Sequence, residues 1–473
     1  MKSPRLAARA ALAVFLTLAV AHGLTGPAAA APGPPGPLDD ADFDLEALAL
    51  TARNLPQSDH AATAGGLTLE GGVIEVDNDP DDDAITPAVA YSTASQQYLV
   101  VYETPCNLGS HCIAAAYVDT SGQVLGIQHV KNRIYNHNPD VAYDPIHNRF
   151  AVVWESHCPS APWHVVAIQF AGSASGVTVP FVELDAGQGW AGDLRHPSIA
   201  FNADEGSYLV VFQHRDSDTQ NWDIYGNRLD LNADGTFTTN GYDAGTNRTG
   251  PYRDRFYIGE TQVTDEAAPH PDVAWGSAGN SFLAAWRYYH SFAYNIQARY
   301  IHDTHQGGSQ TQGTNHRITP SVSYIATPTV AYSTSDHRYL VTFTRDAGIG
   351  GLNVYGQRMA ASDSDAPAYQ NAFAIAEGDT PEELSDAAYN PSCDCYVVSY
   401  LEERGDTTTL RAQQIYGSYQ GGGQLSGDAL QVAQATRFFD AGGWLAAPRL
   451  ACSSDSAQCL STWQLNSLGF ADT

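Results

Sequence analysis

The stretch Pro139-Asp-Val-Ala-Tyr-Asp-Pro-Ile-His-Asn-Arg-Phe-Ala-Val-Val-Trp154 decides the fold, because its sixteen-residue pattern occurs seven times along the chain. It joins two short runs, rich in β-branched and aromatic residues, through about six polar residues, which is typical of a β-hairpin. A proline can open the first strand, since only the first N–H of the ladder is lost there. The copies align without a gap and begin at Pro87, Pro139, Pro197, Pro271, Pro328, Ser385 and Pro448.

Two positions of the repeat keep their character in every copy. The fourth residue is always alanine, which predicts tight packing of the first strand close to an axis: Ala90, Ala142, Ala200, Ala274, Ala331, Ala388 and Ala451. The last residue is always aromatic: Tyr102, Trp154, Phe212, Trp286, Phe343, Tyr400 and Trp463. The copies start 52 to 74 residues apart. A repeat of this kind indicates a solenoid, a propeller or an array.

Further apolar runs follow the hairpins. A third run is found after each of the first six copies, as at residues 224–229, and a weaker fourth run follows at 256–258 and 373–375. Four antiparallel strands in each of seven units predict an all-β fold, a seven-bladed β-propeller. A superhelical β-solenoid is the alternative, although its turns are usually shorter. The seventh unit has no fourth run of its own, so we expect the orphan strand at residues 72–76 to complete that blade and close the ring.

The pattern Pro-x-Val-Ala-Tyr … Tyr-Leu-Val-Val-Trp … Ile-Tyr-Gly-x-Arg resembles the repeats of exported bacterial β-propeller proteins. Asp223-Ile-Tyr-Gly-Asn-Arg228 and Asn353-Val-Tyr-Gly-Gln-Arg358 carry the resemblance best, and it covers roughly residues 72–473. It implies a propeller and export, but no particular activity and no catalytic residue. Sialidase-type Ser-x-Asp-x-Gly-x-Thr-Trp boxes and WD40-type Gly-His…Trp-Asp pairs do not occur in the sequence, which argues against those two families.

The N-terminal region divides into two segments ahead of the repeats. Residues 1–30 have a basic start, an apolar core and the small residues Ala28-Ala-Ala30, which predicts a secretory signal peptide; an uncleaved anchor is the alternative. Residues 31–70 open Pro/Gly-rich and turn acidic, which predicts a linker. Residues 71–473 are the predicted propeller. We therefore expect a secreted or extracytoplasmic protein that leaves the membrane after signal cleavage.

The chain is strongly acidic, with a formal net charge of −29. This balance argues against nucleic-acid partners, which need a basic footprint, and against anionic membrane surfaces. It favours solubility and permits bound cations.

The seven cysteines fit an oxidising compartment. The fifth and twelfth residues of the first six repeats form an aromatic pair, and in the seventh both become cysteine, Cys452 and Cys459. Opposed residues of an antiparallel hairpin lie close enough for a disulfide, so we predict this bridge. Cys106 and Cys112 flank one loop and are predicted to pair as well. Cys393 and Cys395 either form a small ring or stay reduced, and Cys158 is left over as a free thiol.

Function is expected on the face of the propeller opposite the short turns within the repeats, because the longer connections lie there. Four tryptophans outside the repeat positions fall in these connections: Trp163, Trp190, Trp222 and Trp444. His196 and His270, which precede the proline in adjacent units, are predicted to face a shared funnel. Exposed aromatic rings in concave sites stack on sugars or bury apolar ligands. Packing of these tryptophans against blade edges is the alternative.

One carboxylate cluster links the orphan strand to the first repeat: Asp77, Asp79, Asp81, Asp82 and Asp83. Clustered oxygen ligands suit Ca²⁺, although like charges at this density also occur as solvated linkers. We therefore treat calcium as a candidate cofactor.

These features predict a protein that acts by binding, with a polysaccharide or glycoprotein as the leading ligand. Two alternatives stay open. One is an extracellular hydrolase or lyase that uses the same funnel, and the other is a protein-interaction scaffold.

Overall fold

The computed structural model of the chain describes residues 9–18, 63–64, 67–69, 73–76, 84–106, 110–130, 135–157, 162–174, 179–183, 192–215, 221–237, 242–243, 248–249, 256–263, 270–302, 311–346, 351–361, 372–378, 380–418, 424–436 and 448–465. Every regular element in these ranges is a β-strand, which confirms the all-β prediction. Within the same ranges no helix has the length and apolar character needed to cross a bilayer.

In chain order the strands are β1 (Arg9–Leu18), β2 (Thr63–Ala64), β3 (Leu67–Leu69), β4 (Ile74–Glu75), β5 (Ile85–Ser92), β6 (Gln97–Cys106), β7 (Ser110–Asp119), β8 (Val124–Val130), β9 (Tyr135–Asp144), β10 (Arg149–His157), β11 (His164–Ala171), β12 (Val179–Glu183), β13 (Leu194–Asn202), β14 (Ser207–Arg215), β15 (Trp222–Asp230), β16 (Tyr242–Asp243), β17 (Arg248–Thr249), β18 (Phe256–Val263), β19 (Asp272–Gly276), β20 (Ser281–His290), β21 (Ala293–His302), β22 (Thr311–Arg317), β23 (Thr329–Ser333), β24 (Arg338–Asp346), β25 (Leu352–Met359), β26 (Phe373–Ala376), β27 (Glu382–Asn390), β28 (Cys395–Arg404), β29 (Thr407–Tyr416), β30 (Leu430–Thr436), β31 (Arg449–Cys452) and β32 (Gln458–Leu465).

Six antiparallel sheets of four strands form the blades of a β-propeller. They are blade 1 (β5–β8), blade 2 (β9–β12), blade 3 (β13, β14, β15 and β18), blade 4 (β19–β22), blade 5 (β23–β26) and blade 6 (β27–β30). From blade 1 to blade 6 the first strand of each blade contacts the first strand of the next, and β31 of the last hairpin contacts both β27 and β5. The first strands therefore line a common centre, in agreement with the small residue predicted close to an axis.

The prediction of seven four-stranded blades is wrong, because the described residues form six. The last repeat gives the hairpin β31–β32, which belongs to a six-stranded sheet with β1 to β4. β1 pairs with β32 along the edge where a blade carries its own third strand. The strand expected at residues 72–76 is reduced to Ile74–Glu75, and it pairs with β1 rather than with the last hairpin. The predicted closure is therefore not seen, because the apolar run of β1 takes the edge that it required.

The register of the hairpin inside each repeat is as predicted. Tyr91 lies opposite Tyr98 in blade 1 with ring centroids 4.7 Å apart, and the equivalent aromatic pairs recur in the other five blades. In the last hairpin the paired residues are Cys452 and Cys459, which form a disulfide. The prediction that a disulfide replaces the aromatic pair in the last hairpin is confirmed.

The turn inside each repeat is closed by local chemistry. Asp144 Oδ1 accepts hydrogen bonds from the backbone N–H groups of Ile146 and His147 at 2.8 and 3.1 Å, as expected for an Asx turn. The last turn residue has a positive φ in all six blades: Gln96, Asn148, Gly206, Asn280, His337 and Asp394. We call the surface formed by these turns (93–96, 145–148, 203–206, 277–280, 334–337 and 391–394) the turn face.

Apolar side chains fill the spaces between neighbouring blades. Leu99 and Val101 of blade 1 pack with Phe150 and Trp154 of blade 2, and all four side chains are fully buried. Each side chain of this kind contributes about 1.5–3 kcal/mol when it leaves water. The aromatic last residue of the repeat thus seals the joint between blades.

Every second first strand is also hydrogen-bonded to the next one through an aspartate, which follows the proline or serine that opens its repeat. Asp140, Asp272 and Asp386 each accept a hydrogen bond from a backbone N–H of the next first strand, at 2.9, 2.6 and 2.7 Å. Burial and nearby carboxylates raise the pKa of Asp272 to about 6, and burial raises the pKa of Asp386 to about 7 against the opposing charge of Arg449. The inner wall is therefore polar and responsive to pH.

Candidate functional site

The surface opposite the turn face carries the ends of the second strands and the starts of the first and third strands. We call it the loop face. The described residues on this side include several clusters of polar and aromatic side chains in blades 1 to 4. The groups come from strand ends that are distant in sequence, and the antiparallel register brings them together.

Four residues on the loop face have a strained backbone. Thr86, Asn138, His196 and His270 have φ of 48°, 50°, 49° and 30°, and each directly precedes the proline of its repeat. A side-chain-bearing residue costs roughly 1–2 kcal/mol in this region, and a following proline restricts it further. The register of the hairpin shifts at this point in blades 1, 2 and 3, which marks a β-bulge. Bulges of this kind re-aim side chains, and strain that persists is held by the surrounding contacts.

His196 and His270 are brought together, as the sequence predicted for equivalent positions of adjacent units. Their ring centroids are 3.9 Å apart, and both side chains are half-buried. Burial, followed by the charge of Arg195, lowers the pKa of His196 to about 3. Burial and His196 hold the pKa of His270 well below its usual value. Two neutral imidazoles therefore stand side by side at neutral pH, each with one donor and one acceptor nitrogen.

Glu155 organises the groups beside this pair. Its fully buried carboxylate accepts hydrogen bonds from Arg195 Nε at 2.8 Å and Nη2 at 2.9 Å, from the backbone N–H of His196 at 2.8 Å, and from Asn138 Nδ2 at 2.7 Å. A carboxylate can accept about four hydrogen bonds, so these four donors saturate both oxygens. Glu155 thus fixes two of the strained residues and orients one guanidinium.

Trp163 lies against the same guanidinium. The Arg195 side chain stands 4.0 Å from the centre of the indole, and His157 stacks on it with ring centroids 4.7 Å apart. The backbone N–H of Trp163 donates to Asp193 Oδ1 at 3.0 Å. Protein groups therefore occupy the ring surface that a sugar would need, and Trp163 positions Arg195 instead of offering a stacking platform.

A second group of polar side chains lies between blades 1 and 2. Glu103 is buried, and its Oε2 lies 2.5 Å from His137 Nδ1 and 3.8 Å from His111 Nδ1. Thr86 Oγ1 donates to Glu103 Oε1 at 2.9 Å. Glu103 thus holds the strained Thr86 in blade 1 as Glu155 holds Asn138 in blade 2.

The hairpin β20–β21 carries the most exposed large apolar side chain among the described residues. Phe292 is 92% exposed, and Ser291 and Phe292 both have positive φ, at 53° and 65°. Such a two-residue turn normally prefers Asn-Gly or Gly-Gly. Tyr289 and Tyr294 pair across the strands below it, with ring centroids 4.8 Å apart.

The other predicted site residues have different outcomes. Trp222 is buried, with 1% of its surface exposed, so its ring is not available to a ligand. Trp190, Trp444 and the calcium candidates Asp77, Asp79, Asp81, Asp82 and Asp83 lie outside the described residues.

The predicted disulfides Cys106–Cys112 and Cys452–Cys459 are both formed. Cys393 and Cys395, for which two outcomes stood open, also form a bridge. Cys158 lies outside the described residues.

Sequence reasoning missed Glu103, His111 and His137 as a group. These residues are 8 and 26 positions apart, with no recognised ligand spacing. The repeat itself could have pointed to Glu103, because Glu103 and Glu155 each directly follow the last residue of a sixteen-residue unit.

No known family model and no curated protein matches the chain. Among solved structures, the chain is similar to the Dos1 propeller, with 11% identity, a TM-score of 0.41, and coverage of 86% of this chain and 87% of that one. It is also similar to a Hadza microbial sialidase, with 11% identity, a TM-score of 0.39, and coverage of 77% and 76%. An exo-β-1,3-galactanase of Phanerochaete chrysosporium, solved with galactose, has 10% identity, a TM-score of 0.35, and coverage of 82% and 95%. Likenesses at this level carry no statement about the activity of this chain.

Proposed function

We propose that the protein binds an uncharged polysaccharide, or the glycan of a glycoprotein, on the loop face beside His196 and His270. The observation that carries the proposal is the contact between these two half-buried imidazoles, both in strained backbone conformations and both held neutral. Neutral rings that donate and accept hydrogen bonds suit the hydroxyl groups of a sugar. The net charge of −29 disfavours anionic chains.

Binding fits Glu103 and Glu155 on this face better than hydrolysis does. A glycosidase needs two carboxyl groups that reach the scissile bond from either side. Glu155 is fully buried and engaged by four donors, and Glu103 is 2% exposed. Among the described residues of the loop face, these two glutamates therefore act as supports for the residues above them.

We further propose that the protein works outside the cytoplasm, after removal of residues 1–30. Three disulfides favour an oxidising compartment. β1 lies inside the predicted signal peptide, and it is the strand that joins the β31–β32 hairpin to β3 and β4, so cleavage after Ala30 would separate this hairpin from the short strands β2 to β4. The intact mass of the exported protein tests this point: a chain that retains residues 9–18 would contradict the cleavage.

The test of the binding proposal is affinity electrophoresis of the exported protein through gels that contain neutral polysaccharides, such as glucans, mannans and xylans. We expect at least one to retard the protein. The double variant His196→Gly, His270→Gly removes both imidazoles while glycine keeps the positive φ without strain. It should lose the retardation at least about tenfold and keep its melting temperature.

Gln96→Gly is the matched control, because Gln96 has a φ of 52° on the turn face. This variant should bind as the unchanged protein does. Absence of retardation by every neutral polysaccharide, or equal retardation of the double variant, would overturn the proposal.

A further inference from the structure

Glu103, His111 and His137 form a group of potential metal ligands on the loop face. They come from β6, β7 and β9, so the group bridges blades 1 and 2. One ligand atom of each lies within 4.8 Å of the other two. Two imidazole nitrogens and one carboxylate oxygen already lie close together, with separations of 2.5 Å and 3.8 Å from Glu103 Oε2 to the two Nδ1 atoms.

We propose that these three residues bind one divalent transition-metal ion, with Zn²⁺ as the best match. Two histidines and one glutamate are a known protein ligand set for zinc, and three protein ligands leave a fourth position open. Nitrogen ligands disfavour Ca²⁺, which takes oxygen. The ion takes the place of the hydrogen bond between His137 Nδ1 and Glu103 Oε2, and the imidazole then binds it in the tautomer that carries its hydrogen on Nε2.

The residues around the three ligands hold them in place. Thr86 Oγ1 donates to Glu103 Oε1 at 2.9 Å and leaves Oε2 directed at the histidines. Asn136 Nδ2 donates to the backbone carbonyl of His111 at 2.6 Å, and its own Oδ1 accepts from Trp154 Nε1 at 2.9 Å. Partners of this kind orient metal ligands and raise the affinity of the site.

A disulfide also restrains the hairpin that carries one ligand. His111 directly precedes Cys112, which is bonded to Cys106 across the β6–β7 hairpin. All three ligands therefore lie on strands rather than on free loops, and rigid elements hold ligands more accurately than loops do.

The burial of the group fits an open site. The Glu103 side chain is 3% exposed, whereas those of His111 and His137 are 34% and 25% exposed. The carboxylate lies at the base and the imidazoles at the rim, so an ion can enter from the solvent and keep a water or another ligand outward.

The experiment is a Zn²⁺ titration of the untagged, chelator-treated exported protein, with a chromophoric chelator as competitor. We expect one zinc per chain. His111→Asn and Glu103→Gln should each weaken binding by at least about 100-fold, and Thr86→Val by about 10-fold. Substitution with Co²⁺ should give visible absorption bands that His111→Asn removes.

His147→Asn is the matched control. His147 Nδ1 lies 2.7 Å from the carboxylate of Asp144 on the turn face, and no third ligand is grouped with this described pair. Its zinc affinity should be unchanged. A protein that binds no zinc, or binds it equally after His111→Asn and Glu103→Gln, would contradict the site. Circular dichroism separates a misfolded variant from one that has lost only a ligand, and the Thr86→Val variant keeps all three ligands.

Discussion

The two faces of the propeller both place residues with side chains at positive φ, but for different reasons. On the turn face such residues end the turn of the repeat, and Asn148, Asn280 and Asp394 are types that tolerate this conformation. On the loop face the strained residues precede a proline, which disfavours their conformation, and they include His196, His270 and Thr86. Tertiary contacts with Glu103 and Glu155 hold two of these residues and Asn138 in place. Tertiary contacts rather than turn chemistry therefore hold these strained residues of the loop face.

The largest expected effect comes from removing the carboxylate that holds this strain. Glu155→Ala removes the buried carboxylate that accepts from the Arg195 guanidinium and the His196 backbone N–H, which should cost about 3 kcal/mol of unfolding free energy. Asp144→Ala on the turn face frees two backbone N–H groups and the imidazole of His147 rather than a guanidinium, and should cost about 1 kcal/mol. Urea unfolding of both variants measures the difference, and equal losses would break the contrast between the faces.

The disulfide of the last hairpin gives the next effect. Cys452→Ser with Cys459→Ser should lower the unfolding free energy by about 2–3 kcal/mol, as expected for a short closed loop. Cys452→Tyr with Cys459→Tyr restores the cross-strand aromatic pair of blades 1, 5 and 6 and should recover part of this loss. Chemical denaturation tests both. If the tyrosine pair is no better than serine, the two kinds of pair are not interchangeable in the repeat.

The pH dependence of stability should reflect the inner wall. The folded-state pKa of Asp386 is raised to about 7, so the folded protein binds this proton more tightly and stability should rise as pH falls from 8 to 6. The lowered pKa of His196 has the opposite effect on stability below about pH 6.5, because His196 then takes up a proton in the unfolded chain but not in the folded one.

Melting temperatures across this range provide the measurement. Asp386→Asn should reduce the increase in melting temperature between pH 8 and pH 6, and His196→Gly should enlarge it. A profile that neither substitution changes would show that other groups dominate the pH response.

The smallest effect concerns the exposed tip of the β20–β21 hairpin. Phe292→Gly relieves the positive φ of a bulky residue, and the relief is largely offset by the greater freedom of glycine in the unfolded chain. We expect a change of less than about 1 kcal/mol in unfolding free energy. A large loss would instead show that Phe292 packs against another part of the chain.

Much of the fold follows from the repeat. The hairpin register, the paired aromatics and the Cys452–Cys459 bridge were predictable, because period-two alternation fixes which residues face each other across a hairpin. The blade count failed because the edge of β32 is taken by β1, a pairing between sequence ends that no local pattern encodes.

The candidate site was only partly predictable. The proximity of His196 and His270 followed from their equivalent positions in adjacent units. The surroundings of Trp163 could not be predicted from the sequence, because its contacts with Arg195 and His157 depend on the packing of side chains from three strand ends. Likewise Trp222 follows a polar stretch in the sequence and is nevertheless buried in the structure.

The most direct test of the account is a crystal structure of the protein soaked with an oligosaccharide of the polysaccharide that retards it most in affinity electrophoresis. The account predicts sugar density on the loop face within hydrogen-bond distance of His196 and His270. Density confined to the turn face, or to the tip at Phe292, would contradict it.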